Sequence, residues 1–337
     1  MKKPWSLLLA AILVVGLVGC TTPIAENPQQ PSNPAVTPSA DDGEIKNVLF
    51  LASTTAVEYF TNAYNAMKPA FEEVGMTLTL RGPTQPDQME EQLSMFENAV
   101  SSGEYDLILL YPTVPRAFVD AVRASERQGI PVIAYQMSPE MDCGTYYAGP
   151  DNTEQGRLAA QSMIDFVNSH ADHFGAMDSI PIIMSTTAAS EEILKRANGF
   201  KEVIEADGRF EIVMEQAAVG TEQGMAFGET AITAFPDVEL FFSVQDAAGM
   251  GIHNAIQASR TPTETMGIFS IDGTGAVLSA IDSGELYRAT VGAPFAEQAP
   301  DLARFIQEIQ SGTVEVGAVN SFPVVVITQE NAAQYMN

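Results

Sequence analysis

The sequence predicts an α/β protein made of two doubly wound, parallel-sheet lobes. From Ile45 onward, short and nearly continuous apolar runs alternate with amphipathic stretches. Such runs are typical of strands covered on both faces, and repeated strand–helix alternation is typical of parallel sheets. Because about ten strands are predicted, more than a typical single sheet holds, we expect two sheets.

The same pattern predicts the order of the elements. In the first half we expect strands at 45–52, 76–80, 105–111 and 130–136, separated by helices at 57–74, 85–101 and 115–128. Further on we expect strands near 145–148, 180–185, 210–216, 238–244, 266–271, 287–292 and 322–327, each but the last followed by a helical stretch.

Residues 1–20 have the pattern of a signal peptide, in which two lysines precede an apolar run from Trp5 to Val18. Leu17-Val-Gly-Cys20 then resembles the bacterial lipobox, and this resemblance implies a lipid on the Cys20 thiol and cleavage before it. The alternatives are an ordinary secretory signal or a membrane anchor, but the run is shorter than the ~20 residues that a spanning helix needs. We expect an extracytoplasmic protein, lipid-anchored to the cell membrane in the periplasm or on the outer face.

Residues 21–44 are rich in proline and poor in apolar side chains, so we expect a disordered tether that reaches roughly 70 Å. The lobes are then expected to comprise 45–150 plus 293–322, and 151–292 plus 323–337.

Charge and cysteine content exclude several classes of protein. The formal net charge of −27 argues against nucleic-acid binding, which needs a basic surface. Cys143 is the second of two cysteines, so once Cys20 is acylated no intramolecular disulfide can form. We expect Cys143 to be a quiet, partly buried thiol.

The sequence shows no catalytic motif: GxSxG, the P-loop, HExxH and GxGxxG are all absent. His170 and His173 have a spacing that could pair on a metal, but no Cys or further His is near, and they also suit a helix C-terminus. We expect no enzymatic activity, no cofactor and no bound metal.

Hydrogen-bonding and aromatic residues follow the predicted strands, where ligands bind in open α/β sheets. Carboxylates and amides bind hydroxyl groups, and aromatic rings cover the apolar face of a sugar ring. An aspartate in this place also suits a helix N-cap, which leaves a second interpretation open. The candidates are Tyr59, Phe60, Tyr111, Gln245, Asp246 and Asp272.

From about Asn47 to the C-terminus the chain resembles the type I periplasmic binding proteins, specifically the ribose-type sugar-binding branch. The order and spacing of several segments together carry this resemblance: Val57-Glu-Tyr-Phe60, Tyr105–Thr113, Gly129–Ile133, Asp151–Ala160, Ala197-Asn-Gly-Phe200 and Ile271-Asp-Gly-Thr274. The resemblance implies a two-lobed clamp with the ligand held between the lobes.

The chain departs from that family at several positions whose side chains usually bind the ligand. An Asp-Arg pair usually follows the fourth strand, where this chain has Gln136-Met137. A binding Arg usually stands at the position of Leu194; here Arg196 is nearby, and Glu191 and Glu192 lie a turn earlier. Ala293 stands where a Gln is common. These departures make a ligand less polar than a simple sugar plausible. Candidates are a deoxysugar, a glycoside, a cyclic polyol, a nucleoside or a furanone-type signal.

The resemblance implies a solute-binding protein of an ABC importer, with a permease as partner and a monomeric state. We place its hinge at three crossovers, near 150–151, 291–294 and 321–323, and include Asp151, Asn152 and Ala293. We expect Asp272→Ala to weaken ligand binding by about tenfold or more without lowering the melting temperature.

A receptor of the same fold that signals to a chemoreceptor or sensor kinase is the main alternative. A repressor or an extracellular enzyme is disfavoured, because a signal peptide replaces the DNA-binding headpiece and no nucleophile–base pair or metal cluster follows the strands.

Overall fold

The computed structural model of the protein describes residues 44–187, 190–284 and 286–336. Within these residues, twelve strands and ten helices form two α/β lobes, each with a six-stranded sheet. The predicted fold class is therefore confirmed. The predicted signal peptide, Cys20 and all of the predicted tether except Glu44 lie outside the described residues, and the lobe boundaries drawn from the sequence stay predictions.

The first lobe alternates strands and helices from its first described strand. Its elements are β1 (Asn47–Leu51), α1 (Glu58–Glu73), β2 (Thr77–Arg81), α2 (Met89–Ser102), β3 (Leu107–Leu110), α3 (Pro115–Arg127), β4 (Val132–Tyr135), a 3-10 turn (Pro139–Met141) and β5 (Tyr146–Pro150). Two later elements, α10 (Phe295–Gln310) and β11 (Val319–Phe322), complete this lobe. Its sheet has the order β11-β5-β4-β3-β1-β2, and every neighbouring pair is parallel.

The second lobe repeats the alternation. Its elements are α4 (Asn152–Ser169), α5 (Ala171–Phe174), β6 (Ile180–Thr186), α6 (Glu191–Asp207), β7 (Phe210–Ala217), α7 (Gly220–Ala234), β8 (Leu240–Ser243), α8 (Asp246–Ser259), β9 (Gly267–Asp272), α9 (Gly275–Ser283), β10 (Tyr287–Gly292), β12 (Val325–Thr328) and a 3-10 turn (Ala332–Gln334). Its sheet has the order β12-β10-β9-β8-β6-β7.

The chain passes between the two sheets in three short segments. One joins β5 to α4, one joins β10 to α10, and one joins β11 to β12. Asp151 caps α4 in the first segment, where its carboxylate accepts hydrogen bonds from the backbone N–H groups of Thr153 (2.9 Å) and Glu154 (3.1 Å). All three segments are short, so the two lobes lie next to each other.

The last predicted strand is wrong in one respect. Residues 322–327 do not form a single strand; they span the end of β11 in one sheet and most of β12 in the other. β12 also runs antiparallel to β10, in an otherwise parallel sheet. Because the chain leaves the first sheet at the carboxyl end of β11, it enters the second sheet from the cleft and must run against strands that end there.

Each lobe has its own apolar core. In the first lobe Phe50 and Leu109 are fully buried, and α1 and α10 pack over them. In the second lobe Phe200 of α6 stacks on Phe242 of β8, with ring centroids 3.8 Å apart and an interplanar angle of 1°. Helices packed on each sheet therefore hold the strands of both lobes in place. The residues beyond the carboxyl ends of these strands face the space between the lobes.

Candidate functional site

A cleft of about 560 Å³ lies between the lobes, at the carboxyl ends of the strands. Segments after β3 and β4 line it from the first lobe, and segments after β6, β8 and β9 line it from the second. The lining residues are Tyr59, Tyr111, Pro112, Thr113, Val114, Pro115, Arg116, Gln136, Met137, Met141, Asn152, Ser190, Glu191, Glu192, Ile193, Arg196, Gln245 and Asp272.

The wall formed by the first lobe is aromatic. Tyr59 in the first turn of α1 and Tyr111 after β3 meet edge to face, with ring centroids 6.4 Å apart. Tyr59 also packs against Phe295, at 5.0 Å, and remains 37% exposed. Phe60 packs behind Tyr111, at 4.9 Å, and is 5% exposed. The two tyrosines thus present rings to the cleft, and Phe60 supports them.

The facing wall contains a buried ion pair. Arg196 Nη1 donates to Asp272 Oδ1 (2.6 Å) and to the carbonyl oxygen of Val244 (3.0 Å), while its Nε donates to Asn152 Oδ1 (2.9 Å). The Arg196 side chain is 10% exposed, and the Asp272 side chain is 32% exposed. Burial raises the pKa of the facing Tyr111 hydroxyl, and the charges of Arg196 and Asp272 act on that pKa in opposite directions.

Two glycines bring α4 and α6 close enough for this network to form. A Cβ on Gly156 of α4 would overlap the carbonyl oxygen of Arg196, and a Cβ on Gly199 of α6 would overlap the carbonyl oxygen of Thr153. The backbones of the two helices therefore touch, which places Asn152 at the start of α4 within reach of Arg196.

Asp272 is held in an unusual backbone conformation. Its φ is 143°, a region that side-chain-bearing residues rarely adopt. Its Oδ2 accepts a hydrogen bond from the backbone N–H of Asp246 (3.2 Å). The start of α8 therefore fixes one oxygen of the Asp272 carboxylate, and Arg196 fixes the other.

Asp246 was predicted as a ligand contact, but it is fully buried and does not line the cleft. Its carboxylate accepts hydrogen bonds from the Thr290 hydroxyl (2.8 Å), the Thr274 backbone N–H (2.6 Å) and the Ser270 hydroxyl. Burial, and secondarily the charge of Asp272, raise its pKa to about 6. The structure thus places Asp246 behind Asp272, where it joins β9, β10 and the turn into α9.

Gln136 and Gln245 lie on opposite walls of the cleft. Gln136 has a φ of 60°, and its Nε2 donates weakly to Gln298 Oε1 (3.4 Å). Gln298 is 2% exposed; it also accepts from the Tyr135 hydroxyl (2.9 Å) and donates to the carbonyl oxygen of Ala293. Gln298 therefore links the segment between β10 and α10, through Ala293, to the wall of the first lobe. The sequence pattern did not single out this glutamine.

The two adjacent glutamates at the start of α6 have different surroundings. Glu191 is exposed and lines the cleft. The Glu192 side chain is 12% exposed and accepts hydrogen bonds from Asn152 Nδ2 (3.3 Å), Lys195 Nζ (3.0 Å) and the Ser138 hydroxyl. Sequence reasoning pointed to both glutamates and chose Glu191 as the ligand contact. No local pattern reports that Glu192 contacts Ser138, because the two residues lie far apart in the chain.

The structure thus brings seven of the nine predicted ligand contacts to one cleft. Phe60 instead lines a neighbouring cavity of about 370 Å³ within the first lobe, and Asp246 is buried. The ligand-binding roles of all nine stay predictions, as do the hinge roles of Asp151, Asn152 and Ala293. Among the described residues, no cluster of His, Cys, Asp or Glu could hold a metal ion, and no helix is long and apolar enough to cross a membrane.

A family model described as a periplasmic binding protein domain matches residues 48–313, most of the chain. The protein belongs to this family. Its curated relatives include the ribose import binding protein of Bacillus subtilis, which is 24% identical over 289 residues, covering 85% of this chain and 86% of the relative.

Two of the solved structures of similar fold come from Bacillus halodurans. One, a sugar-binding protein of a sugar ABC transporter, has a TM-score of 0.74 and 17% identity, with 86% of this chain and 100% of that chain covered. Another, an ABC transporter solute-binding protein with bound myo-inositol, has a TM-score of 0.71 and 22% identity, with 88% and 99% covered. At such identities these structures support the fold of this periplasmic binding protein, and its ligand must be argued from its own cleft.

Proposed function

We propose that this protein is the solute-binding component of an ABC importer and captures a neutral sugar or sugar-like molecule between its lobes. One observation carries the proposal: Asp272 and Arg196 of the second lobe face Tyr59 and Tyr111 of the first across the cleft. A ligand bound there touches both lobes at once. Similarity to a ribose import binding protein and to a sugar-binding protein of an ABC transporter supports this assignment.

The charges of the cleft favour a neutral ligand. The Arg196 guanidinium is already paired with Asp272, so it needs no anionic group from the ligand. The remaining lone pairs of the Asp272 carboxylate and the side-chain amide of Gln245 are available to ligand hydroxyl groups. The net charge of −27 further disfavours an anionic ligand such as a sugar phosphate.

The apolar part of the cleft favours a ligand with fewer hydroxyl groups than ribose, or with an apolar substituent. Where sugar binders of the family commonly have an Asp-Arg pair, the chain has Gln136-Met137, and Met137, Met141 and Ile193 line the cleft together. Without the Asp-Arg pair, the bidentate and charge-assisted bonds to vicinal hydroxyl groups are lost. A deoxysugar or a glycoside suits this lining better than an unsubstituted pentose.

Capture proceeds by closure of the two lobes around the ligand. A ligand that bridges the lobes favours the closed state by the difference between its affinities for the two states. The permease would then recognise the closed form. A lipid on Cys20 and the proline-rich tether would keep the protein near that permease, on the extracytoplasmic side of the membrane.

A thermal-shift screen over sugars, glycosides, polyols and nucleosides tests the proposal. A bound ligand stabilises the protein by about 2.7 kcal/mol at a hundredfold excess over Kd, so its class is visible as a rise of several degrees in melting temperature. The ligand is then recovered and analysed for chemical change. Recovery of altered ligand would contradict a binding protein, and the absence of any hit among sugar-like compounds would contradict the ligand class.

A further inference from the structure

A cluster of four polar side chains joins the two lobes beside the ligand cleft. Lys195 of α6 donates to Ser138 Oγ (3.1 Å) and Glu140 Oε2 (3.2 Å) of the first lobe, and to Glu192 Oε1 (3.0 Å) of its own helix. The Ser138 hydroxyl donates to the same Glu192 oxygen. We call Ser138, Glu140, Glu192 and Lys195 the cross-lobe cluster.

The cluster is charged and partly shielded from solvent. The side chains of Glu192 and Lys195 are 12% and 32% exposed, and that of Glu140 is 68% exposed. The nearby Ser138 hydroxyl, the backbone N–H of Glu140 and the Lys195 ammonium together lower the pKa of Glu140 to about 2. Partial burial opposes ionisation of Lys195, but its bonds to Glu192 and Glu140 raise its pKa overall. Lys195 and Glu140 are therefore both charged at neutral pH.

The cross-lobe cluster differs from the other ion pairs because it joins the two lobes. Among the residues that the structure describes, Lys195–Glu140 is the one ion pair that crosses from one lobe to the other. Every other described pair lies within a single lobe. Lys195, Ser138 and Glu140 are also absent from the lining of the cleft, where Glu192 takes part. The contact can therefore form without touching the ligand.

We propose that Lys195 and Glu140 form an electrostatic latch that favours the closed clamp and so sets ligand affinity from outside the ligand contacts. Both are positioning residues: they act through the relative placement of the lobes. The inference rests on the proposed clamp function. Opening the cleft separates α6 from the 3-10 turn 139–141, which breaks the contacts of Lys195 with Ser138 and Glu140 and leaves Lys195–Glu192 intact within one lobe.

The size of the effect follows from the exposure of the pair. Partly exposed ion pairs shift an equilibrium by about two- to fivefold, so the ratio of closed to open ligand-free protein should fall by that factor when the latch is removed. Apparent affinity is proportional to the competent fraction, so affinity for a lobe-bridging ligand should fall by no more than the same factor. Because salt screens partly exposed charges, about 1 M salt should reduce the difference between the wild type and the latch variants.

The test measures lobe separation in the ligand-free full chain. Spin labels are placed at Val57 and Val219, exposed residues that immediately precede α1 of the first lobe and α7 of the second. Cys20 is replaced by serine in every variant so that labels attach at the two chosen sites; the remaining cysteine, Cys143, is fully buried. Distance distributions are recorded by pulsed electron paramagnetic resonance at low and high salt.

The variants are Lys195→Gln, Glu140→Gln and the double variant, with Lys201→Gln as matched control. Lys201 pairs with Glu215 inside the second lobe at 2.6 Å, with a side-chain exposure of 29%, close to the 32% of Lys195. We expect both single latch variants to shift the distribution toward longer distances at low salt. Glu140→Gln should add little in the Lys195→Gln background, because the partner is already gone.

The outcomes separate the latch from the proposed function. A Lys195→Gln distribution that matches those of the wild type and Lys201→Gln would overturn the latch and leave sugar capture untouched. A salt-independent shift, or full additivity in the double variant, would also overturn it. Failure of the ligand screen would overturn the proposed ligand class, whereas the latch is measured on ligand-free protein and its result would stand.

Discussion

Asp272 is the residue on which most constraints of the cleft converge. Its carboxylate pairs with Arg196, accepts from the backbone of Asp246 and faces the cleft, while its backbone has a φ of 143°. From sequence it reads as a free ligand contact whose loss should leave the melting temperature unchanged. The ion pair changes that expectation, because removing Asp272 leaves a buried guanidinium without its carboxylate.

We therefore expect Asp272→Ala to weaken ligand binding by about tenfold or more and also to destabilise the fold by about 1–3 kcal/mol. Asp272→Gly removes the same carboxylate but relieves the backbone strain, so it should be about 1 kcal/mol more stable than Asp272→Ala. Chemical denaturation of both variants, with the exposed Asp120→Ala as control, measures the two effects. Equal stabilities for the alanine and glycine variants would show that the backbone stores no strain.

The raised pKa of the buried Asp246 carboxyl group predicts that the stability of the fold depends on pH. Its pKa rises from an ordinary 3.8 to about 6 in the folded protein, mainly because of burial. The folded state therefore holds this proton more tightly, and the stabilisation that this provides is complete below about pH 4 and is lost as pH rises through about 6. The corresponding loss of unfolding free energy is on the order of 3 kcal/mol.

Unfolding of the wild type and of Asp246→Asn at pH 4.5, 5.5, 6.5 and 7.5 tests this linkage. We expect the wild type to lose stability relative to Asp246→Asn across this range, because asparagine does not titrate. Asp120→Asn, at an exposed site, should show no comparable trend. A constant difference between the wild type and Asp246→Asn at all four pH values would contradict the raised pKa.

At the scale of single residues, strand-end reasoning located the cleft but could not assign roles within it. Both Asp246 and Asp272 follow apolar strands, and both fitted either a ligand contact or a helix cap. Only the three-dimensional contacts separate them, since Asp246 accepts from Ser270 and Thr290 on neighbouring strands. The contacts of Glu192 and Lys195 were unpredictable for the same reason: both residues bind Ser138, which lies in the other lobe.

At the scale of elements, the contact of α4 with α6 decides where the polar network lies. The backbones touch at Gly156 and Gly199, and no larger residue fits either place without movement. Both glycines fall in segments that carried the family resemblance, so close packing gives a physical reason for them. Asn152 and Arg196 are thereby held together by helices that cannot slide independently.

Gly199→Ala should therefore destabilise the protein and disturb the cleft together. Its Cβ would overlap the backbone carbonyl of Thr153, which cannot move aside as a flexible side chain can, and overpacking of this kind costs about 1–3 kcal/mol. Gly275→Ala is the matched control, because its Cβ meets nothing within 4 Å in the first turn of α9. Thermal unfolding measures both, and a Gly199→Ala variant as stable as Gly275→Ala would contradict the close contact.

Most elements were predictable because their patterns are local. Apolar runs such as Leu107–Leu110 and amphipathic stretches such as Pro115–Arg127 are visible without knowing their partners. β11 was not, because Val319-Asn-Ser-Phe322 is half exposed at a sheet edge and carries little apolar signal. The direction of β12 depends on where the chain crosses between lobes, which is a property of the whole fold.

At the scale of the whole molecule, the protein has two separate apolar cores joined by three short segments. Among the residues that the structure describes, no element of one core fills the other: α1 and α10 cover the first sheet, and the second sheet packs against its own helices, including α4 and α6. A ligand in the cleft would add contacts that the lobes otherwise lack. Ligand binding should therefore couple the unfolding of one lobe to that of the other.

The last prediction tests this coupling with one matched substitution in each core. Leu109 on β3 and Leu240 on β8 are both fully buried leucines on central strands, so each Leu→Ala change should cost about 2–5 kcal/mol in its own lobe. Without ligand, calorimetry should show that each variant lowers the melting temperature of a different part of the unfolding transition, the part that belongs to its own lobe. At saturating ligand both should lower a single joint transition, with calorimetric and van't Hoff enthalpies that approach each other. If either variant shifts the whole ligand-free transition uniformly, the lobes already unfold as one unit without ligand, and the prediction is wrong.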